Sequence, residues 1–246
     1  MKVMKRYNDD EMLIKNILAG IEYQWSEYVF HDFYDPSQQK LISSALDKVG
    51  VDYSFFGGYI DSERKMLVVG SKDASVFPIE VLEFSLSDQI NHRDILGAFL
   101  STGIKREIIG DIVMGTDKAM VFVKDSFSWY LKDNVGKIKN KHLNIDVKSY
   151  SSIEVPKRKY EKQQCVASSL RLDNIISKIC FLSRGESTQM IKKGMVKIDH
   201  VPVEKASYEL KPGSIISIRG HGRFLFDRIL GNTKKGNKKI QILKYM

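Results

Sequence analysis

The feature that most constrains the fold is the order of strand and helix patterns between residues 77 and 150. Short runs rich in β-branched and aromatic residues predict strands, and two longer stretches with apolar residues at helical spacing predict helices. In chain order the segments are FPIEVLEF, HRDILGAFLSTG, IIGDIVMG, KAMVFVK, DSFSWYLKDN and KHLNIDVKSY. This β-α-β-β-α-β order predicts an α+β chain with a ferredoxin-like, RNA-recognition-motif-like unit.

RNA-recognition versions of this fold stack unpaired bases on aromatic side chains of the central strands. Here Phe122 is the only aromatic residue in KAMVFVK, and the basic-glycine-aromatic signature of those domains is missing. Because many unrelated functions use the same fold, the order of elements leaves RNA binding by this unit open.

The flanking segments complete the domain plan. Apolar spacing predicts a helix over residues 8–30, then a second helix that begins beside Pro36 and ends at Gly50. VDYSFF and KMLVVGS predict two strands joined through the turn GGY. The expected divisions are an N-terminal helical α/β region (1–75), the ferredoxin-like domain (76–153), a basic linker (154–167) and a C-terminal domain (168–246).

Charge is distributed unevenly along the chain. Residues 157–246 contain 20 Lys and Arg against 7 Asp and Glu, a net charge of +13, whereas residues 1–156 carry a net charge of −4. Such asymmetry points to a polyanionic partner for the C-terminal third. The alternative is a basic face that serves solubility alone.

Composition also narrows the class of protein. No apolar run approaches the roughly 18 residues needed to cross a membrane, and the N-terminus is too charged for a secretory signal. Cys165 and Cys180 are too few for a disulfide framework or a metal site. We expect a cytoplasmic protein without a cofactor.

The basic third begins with RLDNIISKICF, which predicts an amphipathic helix. Its apolar face consists of Leu172, Ile175, Ile176 and Ile179, and its outward face of Arg171, Asn174 and Lys178. Ser183 and Glu186 then form a capping box that starts a short helix, and Gly194 ends that helix. The strand MVKID follows, with Lys197 on its outer side.

The cations of this second helix have different explanations. Lys192 and Lys193 occupy its last turn, where the helix dipole favours cations. Arg184 lies at its start, where the dipole disfavours a cation, so helix stability does not account for it. We therefore predict that Arg184 meets an external anion, with an ordinary solvated surface as the alternative.

R-L-D, an apolar helix, S-R at the turn and M-I-K-K-G-M-V-K-I-D together resemble the S-four-type (S4) RNA-binding domain over about residues 168–220. The resemblance implies that basic side chains on the two helices and the next strand contact structured RNA. The matching positions are Arg171, Arg184, Lys192, Lys193 and Lys197. Gly185 and Ser187 depart from the family pattern, and both weaken the second helix slightly.

A second resemblance covers nearly the whole chain and is to the YlmH family of bacteria. The segments that carry it are FHDFYDPSQQKLI, FFGGY, HRDILGAFLSTGIKREIIGDI and the C-terminal residues. It implies a monomeric, ribosome-associated protein whose partners are structured rRNA, tRNA and the large ribosomal subunit. Relatives are linked to the rescue of stalled large subunits, and an older label links the family to cell division.

The C-terminal segment adds further candidates for phosphate contacts. GHGRF contains His221 and Arg223, and Arg219 directly precedes it. RFLFDRIL and KIQILKY predict a hairpin, with Lys234, Lys235, Lys238 and Lys239 at its tip. A solvated loop is the alternative for the tip.

Catalysis is not expected. Pseudouridine synthases use an R-L-D motif whose Asp is the nucleophile, but here Asp173 lies in the first helix of the S4-like region and is expected to serve that helix or pair with an Arg. The sequence contains no dinucleotide-binding, P-loop or metal-ligand pattern. An RNA-modifying enzyme and a cell-division adaptor remain the alternatives to a non-catalytic RNA-binding protein.

Overall fold

The structure is a computed structural model that describes residues 2–22, 28–72, 74–86 and 90–245, with the backbone alone for 2–10 and 22. The chain forms two compact units, residues 1–156 and 157–246. Within the described residues, no helix is both long and apolar enough to cross a membrane.

The first unit contains four α-helices and nine strands within the residues that the structure describes. Its helices are α1 (Lys2–Glu22), α2 (Pro36–Val49), α3 (His92–Leu100) and α4 (Asp125–Asn134), with 3-10 turns at Arg106–Ile108 and Tyr150–Ser152. Its strands are β1 (Val29–Tyr34), β2 (Tyr53–Phe56), β3 (Lys65–Val69), β4 (Ile79–Ser85), β5 (Ile109–Met114), β6 (Lys118–Lys124), β7 (Lys137–Ile138), β8 (Lys141–His142) and β9 (Asp146–Ser149).

The N-terminal region combines α1 and α2 with the three-stranded sheet β1-β3-β2. The start of α2 beside Pro36 and its end at Gly50, in the left-handed conformation with φ 69°, are as predicted. The structure adds a capping box at Asp35, which the sequence analysis did not predict. The helix predicted over residues 8–30 is wrong at its end, because Val29 and Phe30 belong to β1 and pair with β3. Residues 23–27 of that prediction lie outside the described residues.

The ferredoxin-like region contains an antiparallel sheet of order β5-β6-β4-β9, with α3 and α4 packed on one face. This order is consistent with the predicted β-α-β-β-α-β unit. The last strand is shorter than predicted, because β9 begins only at Asp146. The start of the KHLNIDVKSY segment instead forms the small hairpin β7-β8.

The second face of this sheet is covered by the N-terminal region. Phe122 of β6 is fully buried there, and its ring centroid lies 5.0 Å from that of Tyr59. Gly58 packs so tightly against Phe122 that a Cβ at Gly58 would lie 2.5 Å from the ring. The surface on which RNA-recognition motifs stack bases is therefore closed in this protein.

The second unit packs two helices against a six-stranded antiparallel sheet of order β10-β15-β14-β13-β11-β12. The helices are α5 (Leu172–Ile179) and α6 (Arg184–Lys192). The strands are β10 (Tyr160–Ala167), β11 (Val196–Ile198), β12 (Val201–Pro202), β13 (Ile215–Ile218), β14 (Gly222–Asn232) and β15 (Lys238–Tyr245). Apolar side chains of α5, α6 and the inner sheet face form one core.

Most of the segment expected to be a linker is structured. All of β10, Tyr160–Ala167, pairs antiparallel with β15 and forms one edge of the sheet. The apolar pattern did not predict this strand, because an edge strand can contain few apolar residues. Its stability comes from backbone hydrogen bonds to the neighbouring strand.

Candidate RNA-binding surface

Helices α5 and α6 form a helix-turn-helix whose local signals agree with the sequence. The predicted stripe of Leu172, Ile175, Ile176 and Ile179 is buried. Ser183 and Glu186 form the predicted capping box of α6. Ser187 is buried within α6, and its hydroxyl donates to the carbonyl oxygen of Ser183 at 3.0 Å, so this departure from the family pattern leaves no polar group unsatisfied.

The predicted outward position of Asn174 is wrong. Asn174 is buried, and its amide nitrogen donates to the carbonyl oxygen of Ser169 at 2.9 Å and contacts the Ser168 hydroxyl at 3.2 Å. The residue therefore ties α5 to the segment before it. A buried, hydrogen-bonded asparagine and an exposed one give the same helical pattern of polar residues. The pattern alone could therefore not distinguish them.

Asp173 is the electrostatic centre of the helix-turn-helix. Its side chain is only 4% exposed and bonds to Arg171 through Nε at 3.1 Å and Nη2 at 3.0 Å. Arg184 reaches the same carboxylate from α6, with Nε 3.1 Å from Oδ2. Burial pushes the pKa of Asp173 upward, but the hydrogen bonds from the two arginines outweigh it, and the pKa lies below its ordinary value.

The expected pairing of Asp173 with an Arg is confirmed, and it gives Arg184 an internal anion. The external anion predicted for Arg184 stays a prediction. The side chains of Arg171 and Arg184 nevertheless remain 42% and 59% exposed. Because a guanidinium has five N–H donors, both residues can hold Asp173 and still contact a phosphate.

Lys192, Lys193 and Lys197 are exposed where α6 ends and β11 follows. Gly194, with φ 66°, turns the chain between them, and the burial of Val196 and Ile198 leaves Lys197 on the outer face of β11. Arg184 and Lys192 are separated along the axis of α6 by about 12 Å. The helix therefore presents cations at both ends.

The β13–β14 turn joins this group. The backbone amide of Arg219 donates to the carbonyl oxygen of Met195 at 3.0 Å, which places the exposed Arg219 beside the segment that follows α6. His221 lies in the same turn and is half-buried. We name Arg171, Arg184, Lys192, Lys193, Lys197 and Arg219 the basic surface.

Arg223 lies on the outer face of the sheet in register with this surface. Lys197 pairs with Ser217, and Ser217 pairs with Arg223, so the three positions form one row across β11, β13 and β14. The Arg223 guanidinium lies 4.7 Å from the ring centroid of Tyr245. Tyr245 was not predictable as part of the site, because its role as a cation–π partner depends on strand pairing.

Lys234 and Lys235 are placed elsewhere. Both are exposed in the β14–β15 turn, as predicted. Arg223 and this turn lie at opposite ends of β14, roughly 30 Å apart at the usual rise of a strand. Lys238 and Lys239, which the hairpin prediction placed at the tip, are the first residues of β15. The structure therefore separates Lys234 and Lys235 from the basic surface.

Comparisons with known proteins agree with this architecture. Residues 75–152 match the family described as "Putative RNA-binding domain in YlmH", and residues 170–216 match the S4 domain. Ribosome-associated protein quality control protein P2 of Bacillus subtilis (strain 168) is 29% identical over 211 residues, which cover 83% of this chain and 82% of that protein.

A solved structure gives the same result for the fold. Cell division protein ylmH from Streptococcus pneumoniae has a TM-score of 0.52 and 18% sequence identity, and the match covers 60% of this chain and 94% of that chain. The chain is thus a two-domain protein in which a YlmH-type domain precedes an S4 domain. The resemblance to YlmH-type proteins that the sequence indicated is confirmed.

Proposed function

We propose that this protein is a non-catalytic RNA-binding factor that binds structured rRNA or tRNA on the large ribosomal subunit. Within that role we propose an action in the quality control of stalled nascent chains, as the name of the Bacillus subtilis relative suggests. The observation that carries the proposal is the basic surface, whose exposed cations surround a helix-turn-helix fixed by Asp173.

The charge of the second unit supports RNA as the partner. A net charge of +13 lies within residues 157–246, and the members of the basic surface at α6, β11 and the β13–β14 turn are exposed. Cations placed this way bind phosphates and release counterions, so affinity should fall steeply with added salt. Contacts to phosphates and to the shape of folded RNA require no base-specific signature.

The geometry of Asp173 favours a non-catalytic role. Its carboxylate is buried and shared by two arginines, so it is held as a structural anion rather than presented to a substrate. We also propose that the protein is cytoplasmic and monomeric. A cell-division adaptor acting through residues 1–156 is the alternative, and it predicts partner binding that survives RNase treatment.

Co-sedimentation with isolated large ribosomal subunits on sucrose gradients tests the proposal. The test variant is Lys192→Glu/Lys193→Glu/Lys197→Glu, because none of these side chains supports the Asp173 cluster. The matched control is Lys40→Glu/Lys48→Glu/Lys105→Glu, three exposed lysines of the first unit, one of which also lies in the last turn of a helix.

We expect wild type and the control variant to travel with the large subunit at low salt, and the test variant to stay at the top. Six units of charge change at the surface should weaken binding about a hundredfold and lower the salt slope by about three. Equal loss in both triple variants would show that only total charge matters. Absence of wild-type binding would remove the large subunit as the partner.

A further inference from the structure

Phe181 is the most unusual residue of the turn between α5 and α6. Its backbone is left-handed, with φ 56°, and its side chain is 90% exposed. The amide of Leu182 donates to the carbonyl oxygen of Ser177 at 3.0 Å, across the end of α5. This bond defines a Schellman ending in which Phe181 occupies the position usually held by glycine.

Folding does not explain a phenylalanine at this position. A left-handed backbone disfavours an L side chain, and a β-carbon followed by a ring is a poor choice there. Cys180 and Leu182, on either side, pack against the core, whereas Phe181 does not. Glycine would make the same turn without strain and without an exposed apolar ring.

The surroundings of the turn are cationic. Arg184 begins α6 three residues later, and the exposed Lys178 lies in the last turn of α5. The Glu186 carboxylate at the same turn is bound to the backbone amide of Ser183 at 2.8 Å. An isolated exposed ring among cations has the chemistry of a single-stranded RNA contact, in which phosphates meet cations and a base meets an aromatic face.

We propose that Phe181 is a base-stacking site, on which an unpaired nucleobase of the bound RNA stacks while Arg184 contacts the adjacent backbone. This inference rests on the proposed function and goes further, because it gives the RNA a required feature: at least one base free to leave its helix. A protein partner would be expected to need a wider apolar patch than one ring bordered by charges.

Three substitutions test the site in the full-length protein. Phe181→Gly removes the ring and relieves the left-handed strain, Phe181→Leu keeps an apolar side chain without a π face, and Phe181→Trp keeps a stacking surface. The probes are isolated large ribosomal subunits and bulk tRNA. Equilibrium binding is measured over a series of KCl concentrations, and thermal unfolding is followed in parallel.

Phe181→Gly should bind about tenfold more weakly at every salt concentration, with an unchanged slope of log K against log salt, because no charge is lost. Phe181→Leu should lose a similar factor, and Phe181→Trp should retain wild-type affinity. Phe181→Gly should unfold at an equal or higher temperature than wild type, so function and stability should move in opposite directions.

The outcomes separate this inference from the proposed function. Wild-type binding matched by Phe181→Gly, or by Phe181→Leu, would overturn the stacking site and leave the RNA-binding function standing. A reduced salt slope in Phe181→Gly would assign its effect to the cations instead, and would also overturn stacking. Absence of wild-type binding to both probes would overturn the proposed function itself. Leu and Trp share the left-handed strain, so their comparison is decisive even where Phe181→Gly changes stability.

Discussion

Each unit contains a carboxylate that is bound by two cations. The two clusters differ in their surroundings, because only one of them lies among further exposed cations. In the first unit, Glu83 of β4 lies 3.2 Å from Lys118 and 2.6 Å from Lys148, and the pKa of Glu83 lies below its ordinary value because of these hydrogen bonds. In the second unit, Asp173 fixes Arg171 and Arg184 beside further exposed lysines. The first cluster links neighbouring strands of one sheet, whereas the second lies within a basic surface.

The aromatic residues follow the same division. Phe122 is buried beneath the N-terminal region, while Phe181 is exposed in a strained turn. Because both faces of the ferredoxin-like sheet are covered, bases cannot stack on it. The outer loops and helices of the unit can still contact a partner. The fold of the first unit therefore does not reveal what the unit binds, whereas the exposed residues of the second unit indicate what it can bind.

The largest expected effect comes from disturbing the covered face of the first sheet. Gly58→Ala would place a β-carbon 2.5 Å from Phe122, at a φ of +93° that disfavours alanine. Overpacking and backbone strain together should destabilise the first unit by about 3 kcal/mol. Denaturant unfolding measures the loss, and RNA binding under folding conditions should be unchanged if the second unit carries it.

Gly97→Ala is the matched control for that experiment. Gly97 lies in α3, and a Cβ there would meet no other atom within 4 Å. This change should be neutral or slightly stabilising, since alanine favours a helix more than glycine does. RNA affinity that falls in step with the stability of Gly58→Ala would implicate the first unit in binding.

An intermediate effect is expected from Asp173→Asn. This variant keeps the shape of the side chain but removes the charge that holds Arg171 and Arg184, both of which remain partly exposed. We expect a loss of about 1–2 kcal/mol in the free energy of unfolding, together with a few-fold weaker binding to RNA. Asp227→Asn is the control: it removes the charge beside the more exposed Arg228, keeps an amide oxygen that can accept from Gln241 Nε2, and should cost under about 1 kcal/mol.

The same variant tests how the contribution of Asp173 to stability depends on pH. The pKa of Asp173 is depressed in the folded protein, so its contribution is fully present above the unfolded value of about 3.9 and is lost as pH falls through the folded value. Wild type and Asp173→Asn should therefore differ in stability at pH 7 and converge below about pH 4. A constant difference down to pH 2 would contradict the assigned role of the carboxylate.

The last prediction concerns the reactivity of the thiol beside Phe181 and involves no change in stability or RNA affinity. Burial raises the pKa of Cys180 to about 11, and Lys244 opposes this only in part. The thiolate fraction at pH 8 should be about a hundredfold lower than for an ordinary thiol, so alkylation by iodoacetamide should be slow in the folded protein. The urea-unfolded chain serves as the reference. Rapid alkylation of the folded protein would show that this turn opens more than its packing implies.

Local signals allowed much of the fold to be predicted from the sequence. The glycine end of α2, the capping box at Ser183 and the buried stripe of α5 were predicted because they depend on residues close together in the chain. Strand β10 pairs with β15, more than 70 residues later, so periodicity could not reveal it. The end of the first predicted helix failed for the same reason, since Val29 and Phe30 pair with β3. The partner of Arg184 lies only 11 residues earlier, and the expected pairing of Asp173 with an Arg is confirmed.

The candidate surface was only partly predictable. The cations could be identified from composition, but their separation into a basic surface and a distant hairpin tip follows from the pairing of β13 with β14. The left-handed backbone at Phe181 was weakly predictable. Helix α5 had to end and Ser183 had to cap α6 within a few residues, so one residue of the turn needed a left-handed backbone.

The sharing of Asp173 by two arginines also has a kinetic consequence. A free arginine side chain has about 2 kcal/mol of rotamer entropy to lose when it binds. Arg171 and Arg184 lose part of this freedom during folding, because the same buried carboxylate orients both guanidinium groups. An arriving phosphate therefore meets donors that are already aligned, which favours rapid capture and a fixed spacing between the phosphates that can be held together.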